Sequence, residues 1–187
     1  PARCNCVRTT TEFSATTAIP VSDTAMMVPG LPIRAKIMRV MGVSVFEKMA
    51  RIPSRYVHYK ICSTFDSSPH IGNIGHAVEI ALRYFPATFI PLIVGIPLLN
   101  RFCVFVNLFA RVDDLTFRID RHPTMSRHPV TPMDEADLRR HLGKQTKREI
   151  HLIDVINLDD LKVCKKYYKK LSNQGGYILF DVLTKHH

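Results

Sequence analysis

The stretch "YVHYKICSTFDSSPHIGNIGHAVEIAL", residues 56–82, changes its hydrophobic period twice, and this limits the folds open to the chain. Tyr56, His58 and Lys60 alternate with Val57, Tyr59 and Ile61, a period of two that predicts a strand. After Gly75, the residues Ala77, Val78, Ala81, Leu82 and Phe85 recur at helical spacing and predict a helix beginning between Gly72 and His76. The loop between them carries Ser63, Thr64, Asp66, Ser67, Ser68 and His70. In α/β sheets such loops sit at the carboxyl ends of strands, where ligands bind. The helix start presents free backbone N–H groups, and Gly72 and Gly75 would let an anion approach them. The same residue types also build ordinary turns and caps, so the loop by itself admits a binding role and a structural one.

The later chain repeats the alternation. "FIPLIVGIP" (89–97) and "RFCVFVNLFA" (101–110) are nearly unbroken apolar runs and predict strands buried on both faces. Thr131, Pro132 and Asp134 predict a helix start, with Thr131 as N-cap, Pro132 at the first position and Asp134 as the acid of a capping box. "EIHLIDVIN" predicts a strand. "DDLKVCKKYYKKLSNQGG" predicts a helix with Leu161, Cys164, Tyr168 and Leu171 on one face, lysines elsewhere on it, and a glycine stop. "YILFDVLT" predicts the last strand. Strand, helix, strand in this order implies a parallel pair, so the expected architecture is α/β, a three-layer sandwich around a mainly parallel sheet. Residues 1–55 show poor patterning, interrupted by Pro20, Pro29, Pro32 and Pro53, and are expected to be a poorly defined, degenerate start ahead of a domain over 56–187.

Composition narrows the partners. With 26 basic and 16 acidic residues the formal net charge is +10, which suits anionic metabolites, phosphates, nucleic acid or anionic lipid. The aromatics are not interleaved with the basic residues as in a stacking groove, so nucleic acid is not favoured. The longest apolar stretch, residues 84–99, is broken by Pro86, Pro91 and Pro97 and is short for a membrane span. The five cysteines show no zinc-ribbon spacing, only a lone Cys4–Cys6 pair, so a cytoplasmic chain without disulfides or metal is expected.

A second loop stands out. In "RIDRHPTMSRHPVTP" the cations Arg118, Arg121 and Arg127 surround His122 and His128, with Asp120 between, and Pro123 and Pro129 limit its freedom. Such a loop can hold a carboxylate or phosphate, or can be a packed connector tied by its own Arg–Asp pairs, and the residues alone leave both open.

"YKICSTFDSSPHIGNIGHAVEIA", "IPLIVGIPLLNRF", "FVNLFA", "RIDRHPTMSRHPVTPMDEADLRRHLGKQT" and "LFDVLT" together resemble the four-carbon acid sugar kinase family, the threonate and erythronate kinases, over residues 56–187. The resemblance implies an amino-terminal domain that holds a small sugar acid. It also implies a carboxy-terminal domain that binds ATP with magnesium, whose terminal phosphoryl group passes to a substrate hydroxyl. This chain resembles most of the amino-terminal domain, truncated, with no nucleotide-binding domain expected in it, and the chain alone is expected to be inactive. Carried across, Lys60 would neutralise the substrate carboxylate, Ser63 and Thr64 would bond it or the hydroxyls, and Asp66 would accept from a hydroxyl. Arg127 and His128 would wall the same face beside the Asp66 loop. No catalytic residue is assigned.

The departures are specific. The family opens with a strand and then D-D-F-T-G-S, whereas the nearest piece here, "TEFSAT" (11–16), lacks both aspartates, has Ala15 for the glycine and offers only Glu12. The family's S-R-S arginine has no counterpart between residues 31 and 55, and Val106 stands where a glycine is expected. The alternative function is therefore a non-catalytic remnant or a basic interaction module that keeps the fold.

Overall fold

The structure, a computed structural model, describes the backbone of residues 15–20, 39–54 and 56–187, and the side chains of 45–54 and 56–187. In chain order these form β1 (Ala15–Pro20), α1 (Arg39–Ala50), β2 (Tyr56–Ile61), α2 (Ile74–Tyr84), β3 (Phe89–Ile93), β4 (Arg101–Val104), β5 (Asn107–Val112), β6 (Leu115–Arg118), α3 (Leu138–Gly143), β7 (Ile150–Ile153), α4 (Val155–Asp159), α5 (Leu161–Gln174) and β8 (Gly176–Phe180).

The main sheet has the order β2-β1-β3-β8-β7. β3, β8 and β7 pair in parallel, while β1 runs antiparallel to both of its neighbours, β2 and β3. The sheet is therefore mainly parallel, as expected, with one reversed strand in its interior.

Successive strand residues point to opposite faces, and β8 divides accordingly. Tyr177 and Leu179 join Ile90 and Leu92 of β3 and Val78 and Ala81 of α2 in the larger core. Ile178 instead meets Ile153 of β7 and Leu171 of α5. Burial on both faces is the reason these strands read as unbroken apolar runs. It also makes three layers: α1, α2 and a small second sheet on one face, α5 on the other. Burying each aliphatic side chain is worth about 1.5–3 kcal/mol, so both faces contribute to stability. The outer face of α5 carries its exposed lysines, and Leu161, expected on the buried face, is 64% exposed.

Three expectations are corrected. Residues 101–110 are not one strand but a hairpin, β4 and β5, in a separate antiparallel sheet β4-β5-β6. Its two-residue turn is Phe105 and Val106, at φ 45° and 64°. Positive φ at both positions is the geometry of a type I′ turn, which favours Asn-Gly, so two apolar residues concealed it. Asp181, wholly buried after β8, holds the turn: its carboxylate accepts from the N–H of Phe105 (2.6 Å) and of Val106 (3.1 Å). Burial pushes this carboxyl up from its ordinary value, and the N–H bonds oppose that shift.

Second, the helix expected from Thr131 begins at Leu138. Its cap is Asp137, whose side chain accepts from the N–H groups of Arg139 and Arg140. Asp134 pairs instead with Lys144 at 3.3 Å. Third, "DVIN" is not strand: Asp154 caps the short α4 by accepting from Asn157 N–H.

Residues 1–55 supply two elements to this fold. β1 is inserted between β2 and β3, and Phe46 of α1 is buried in the larger core, edge-on to Phe85 at 6.4 Å. Cys4, Cys6, Glu12 and residues 31–38 of the stretch searched for the S-R-S arginine lie outside the described residues.

Candidate functional site

β2 leads into a turn closed by Phe65 N–H donating to the Cys62 carbonyl at 2.9 Å. Phe65 takes φ 56°, a left-handed conformation that is costly for a bulky residue, and its ring is wholly buried against His141. Burial of that ring offsets the backbone cost and brings Thr64 and Asp66 together. Thr64 Oγ1 donates to Asp66 Oδ1 at 2.6 Å. Since Thr64 has spent its only hydrogen, the Cys62 thiol, 2.9 Å away, donates to Thr64 Oγ1. Cys62 is an exposed residue, yet desolvation of its sulfur, and then the neighbouring Asp66 carboxylate, push its thiol up from the ordinary value.

Behind this loop is a buried lock. Ser67 Oγ donates to the Phe65 carbonyl (3.0 Å), so the two nitrogens near it must donate to it: His141 Nε2 at 3.0 Å and Gln145 Nε2 at 2.8 Å. Gln145 Oε1 then accepts from Ile74 N–H, and Asn73 Oδ1 accepts from His76 N–H, at the start of α2. Two of the amides expected to face an anion are thus taken by the protein's own side chains. Gly75 has a packing reason: a Cβ there would stand 2.3 Å from the Gln145 carbonyl oxygen. Gly72 has a conformational one, φ 64°.

The proline-histidine loop divides into two halves. His122 is buried, its Nδ1 accepts from Thr124 and Met125 N–H, and burial lowers its pKa. Arg118 Nε pairs with Asp120 at 2.8 Å. This half is the tied connector. The other half turns toward the Asp66 loop. His128 Nδ1 accepts from Thr131 N–H at 3.0 Å, and Thr131 Oγ1 lies 3.3 Å from Asp66 Oδ2 and 3.1 Å from His128 Nδ1.

The two loops wall a cleft of about 1130 Å³. The end of β2 (Tyr59, Lys60, Ile61 and Cys62), Asp66, Gly72 and the start of α2 line one side, and His128, Val130 and Thr131 the other. Of the residues expected at a site, the structure brings together Lys60, Asp66, Gly72 and His128. Thr64 is buried behind Asp66, Ser63 is half-buried in the turn, Gly75 is inside the fold, and Arg127 is exposed; none of these four lines the cleft. Thr131 was missed, because it was read as a helix cap. The available signal was its place three residues after His128, within reach of a ring nitrogen. Among the described residues no group of three His, Cys, Asp or Glu side chains could hold a metal ion, and no helix is long and apolar enough to cross a membrane.

Residues 32–187 match the model of a family described as a sugar-binding N-terminal domain. A curated 3-oxo-isoapionate kinase of Paraburkholderia graminis is 48% identical over 141 residues, 75% of this chain and 30% of that protein. A 3-oxo-tetronate kinase of Pectobacterium atrosepticum is 30% identical over 132 residues, 70% of this chain and 30% of that protein. The chain therefore spans about a third of the length of the curated relatives it matches. Two solved structures share the fold. One, described as a putative tRNA synthase from Salmonella typhimurium, has TM-score 0.59 and 26% identity over 67% of this chain and 29% of its own. The other, Haemophilus influenzae protein HI1011, has TM-score 0.56 and 27% identity over 66% of this chain and 29% of its own.

Proposed function

The chain belongs to the sugar-binding N-terminal domain family, and on that premise we propose that the cleft between the Asp66 and His128 loops holds a small sugar acid of the four-carbon class, as the acceptor part of an ATP-dependent kinase. The observation that carries this reading is the side-chain bridge Thr64–Asp66–Thr131–His128, which fixes two distant loops around one cleft beside Lys60. The chemistry fits such a ligand. Lys60 supplies a cation for the carboxylate, and Asp66 an acceptor for a hydroxyl. Thr64 acts from behind, by holding Asp66. The names of the kinase relatives favour a 3-oxo acid over a plain tetronate as the preferred ligand. No described residue is assigned to ATP or magnesium, and the residues named here bind and orient the acid.

Isothermal titration of the 187-residue chain with threonate, erythronate and 3-oxo-tetronate tests the proposal. Binding at one site is expected, with Kd on the order of 1 mM or below, equivalent to about −4 kcal/mol or better. Lys60→Ala should remove most of it, since a charge-assisted hydrogen bond is worth about 1.5–3 kcal/mol. No heat and no thermal shift with any of the three acids would overturn the proposal.

A further inference from the structure

Resting on that reading, we infer that Gln145, which does not itself line the cleft, is the positioning residue of the acid site: its one side-chain amide staples the two ends of the segment 67–74 and holds that cleft wall in its binding shape.

The amide reaches both ends of the segment. Its Nε2 donates to Ser67 Oγ at 2.8 Å, 78 residues away in the chain, and its Oε1 accepts from Ile74 N–H at 2.8 Å, 71 residues away. Between these ends Pro69, His70, Ile71, Gly72 and Asn73 all line the cleft. The segment also bonds to itself. Ser68 N–H donates to the Ile71 carbonyl at 2.9 Å, Ile71 N–H to Ser68 Oγ at 2.9 Å, and Asn73 Nδ2 to the Pro69 carbonyl at 2.9 Å. Those local bonds give the segment its shape, and the Gln145 amide attaches both of its ends to the chain after α3. Asp66 immediately precedes Ser67, so an anchor at Ser67 also steadies the carboxylate proposed to meet the ligand.

Counting hydrogens leaves the amide one orientation. Ser67 Oγ spends its single hydrogen on the Phe65 carbonyl, and a hydroxyl has two acceptor sites. His141 Nε2 fills one at 3.0 Å, and Gln145 Nε2 fills the other. A flipped amide would set its oxygen against a hydroxyl with no hydrogen left, and its NH2 against the Ile74 N–H. Gln145 is itself held in place. Its backbone N–H donates to the Leu142 carbonyl at 2.8 Å, and its carbonyl oxygen lies 2.3 Å from where a Cβ on Gly75 would stand.

Affinity falls with the fraction of molecules that hold the binding-competent wall. Each neutral hydrogen bond lost from it corresponds to about a twofold to tenfold change in Kd. Gln145→Met has similar length and loses both bonds, whereas Ser67→Ala removes the loop-side acceptor alone.

Calorimetry on the full 187-residue chain, well below each variant's thermal midpoint, tests this with threonate, erythronate and 3-oxo-tetronate. Gln145→Met should weaken the acid that the wild type binds by about fourfold to a hundredfold. Native-state amide exchange at Ile74 should quicken in the same variant. The Ser67→Ala/Gln145→Met double variant should lose less than the product of the two single losses, because both act on one staple. Leu171→Ala, a core truncation on the opposite face of the sheet, should lower stability and leave Kd unchanged. A Gln145→Met protein that melts earlier but keeps the wild-type Kd, or single losses that simply multiply, would overturn this inference alone. Failure of all three acids to bind the wild type would overturn the proposed function and this inference with it.

Discussion

Thr131 Oγ1 lies 3.3 Å from Asp66 Oδ2, although the two residues are 65 apart in the chain. The bond joins the loop after β2 to the loop before α3, so a cleft wall assembled from two loops behaves as one unit. It also explains why Thr131 caps no helix: its hydroxyl is used on a carboxylate and its backbone N–H on an imidazole.

Asp66 should be the most sensitive position in that wall. Asp66→Asn keeps the shape but replaces a charged, acceptor-only group by a neutral amide with one acceptor oxygen. Sugar-acid affinity should fall by about 1.5–3 kcal/mol, or about tenfold to a hundredfold, read by titration calorimetry. An unchanged Kd would remove Asp66 from the site.

Gly75 and Gly72 should behave differently. Gly75→Ala forces a Cβ to 2.3 Å from the backbone oxygen of Gln145, and overpacking of this kind costs about 1–3 kcal/mol of stability. Gly72→Ala meets nothing closer than 3.9 Å but must hold φ 64°, a cost of about 1–2 kcal/mol. Urea unfolding of each variant gives both numbers. A Gly75→Ala protein as stable as the wild type would mean that α2 is not seated against Gln145.

The β4–β5 turn offers a stabilising change. Phe105 is 50% exposed and sits at φ 45°, so Phe105→Asn gives up little buried area and relieves a left-handed bulky residue. Stability should rise by about 1 kcal/mol, a thermal midpoint higher by about 2–4 °C for a chain of this size. Val106→Gly should not help in the same way, because Val106 is 2% exposed and its side chain is part of the core.

Stability should fall in mild acid. His141 donates from Nε2 to Ser67, and its buried Nδ1 has no hydrogen-bond partner among the described residues, so a second ring proton has nowhere to bond. Burial first, and Lys144 second, lower its pKa from the ordinary 6.5. A base whose folded pKa is depressed leaves the folded state binding fewer protons than the unfolded one. Its contribution is present above the ordinary value and is lost as pH falls through about 6.5 toward the lower folded value. His122, also lowered by burial, acts in the same direction. Urea midpoints should drop between about pH 7 and about pH 5, and His141→Phe should flatten that slope. An unchanged slope in the variant would show that His141 does not titrate with unfolding.

The parts of this protein that were legible in the sequence are those where one physical signal dominates. The period of two through Ile61 and the helical period after Gly75 found β2 and α2, the apolar run 89–97 found β3, and "YILFDVLT" found β8. The hairpin was hidden because Phe105 and Val106 occupy positions that normally carry Asn-Gly, with Asp181 from the far end of the chain holding the turn. The start of α3 was misplaced because Thr131-Pro132 has cap chemistry, and a local bond to His128 and a tertiary one to Asp66 override it. Lys60, Asp66 and His128 could be named in advance, but not the division of the second loop. His122 and His128 each accept backbone N–H groups at Nδ1, and only the fold decides which of them meets the cleft.

The most direct measurement of the central claim is a crystal structure of this chain soaked with 3-oxo-tetronate at saturating concentration. The account predicts the acid between the two loops, with its carboxylate toward Lys60, a hydroxyl on Asp66 and His128 in contact with it from the other wall. Ligand bound elsewhere on the chain, or in the cleft without contact to Asp66 and His128, would contradict it.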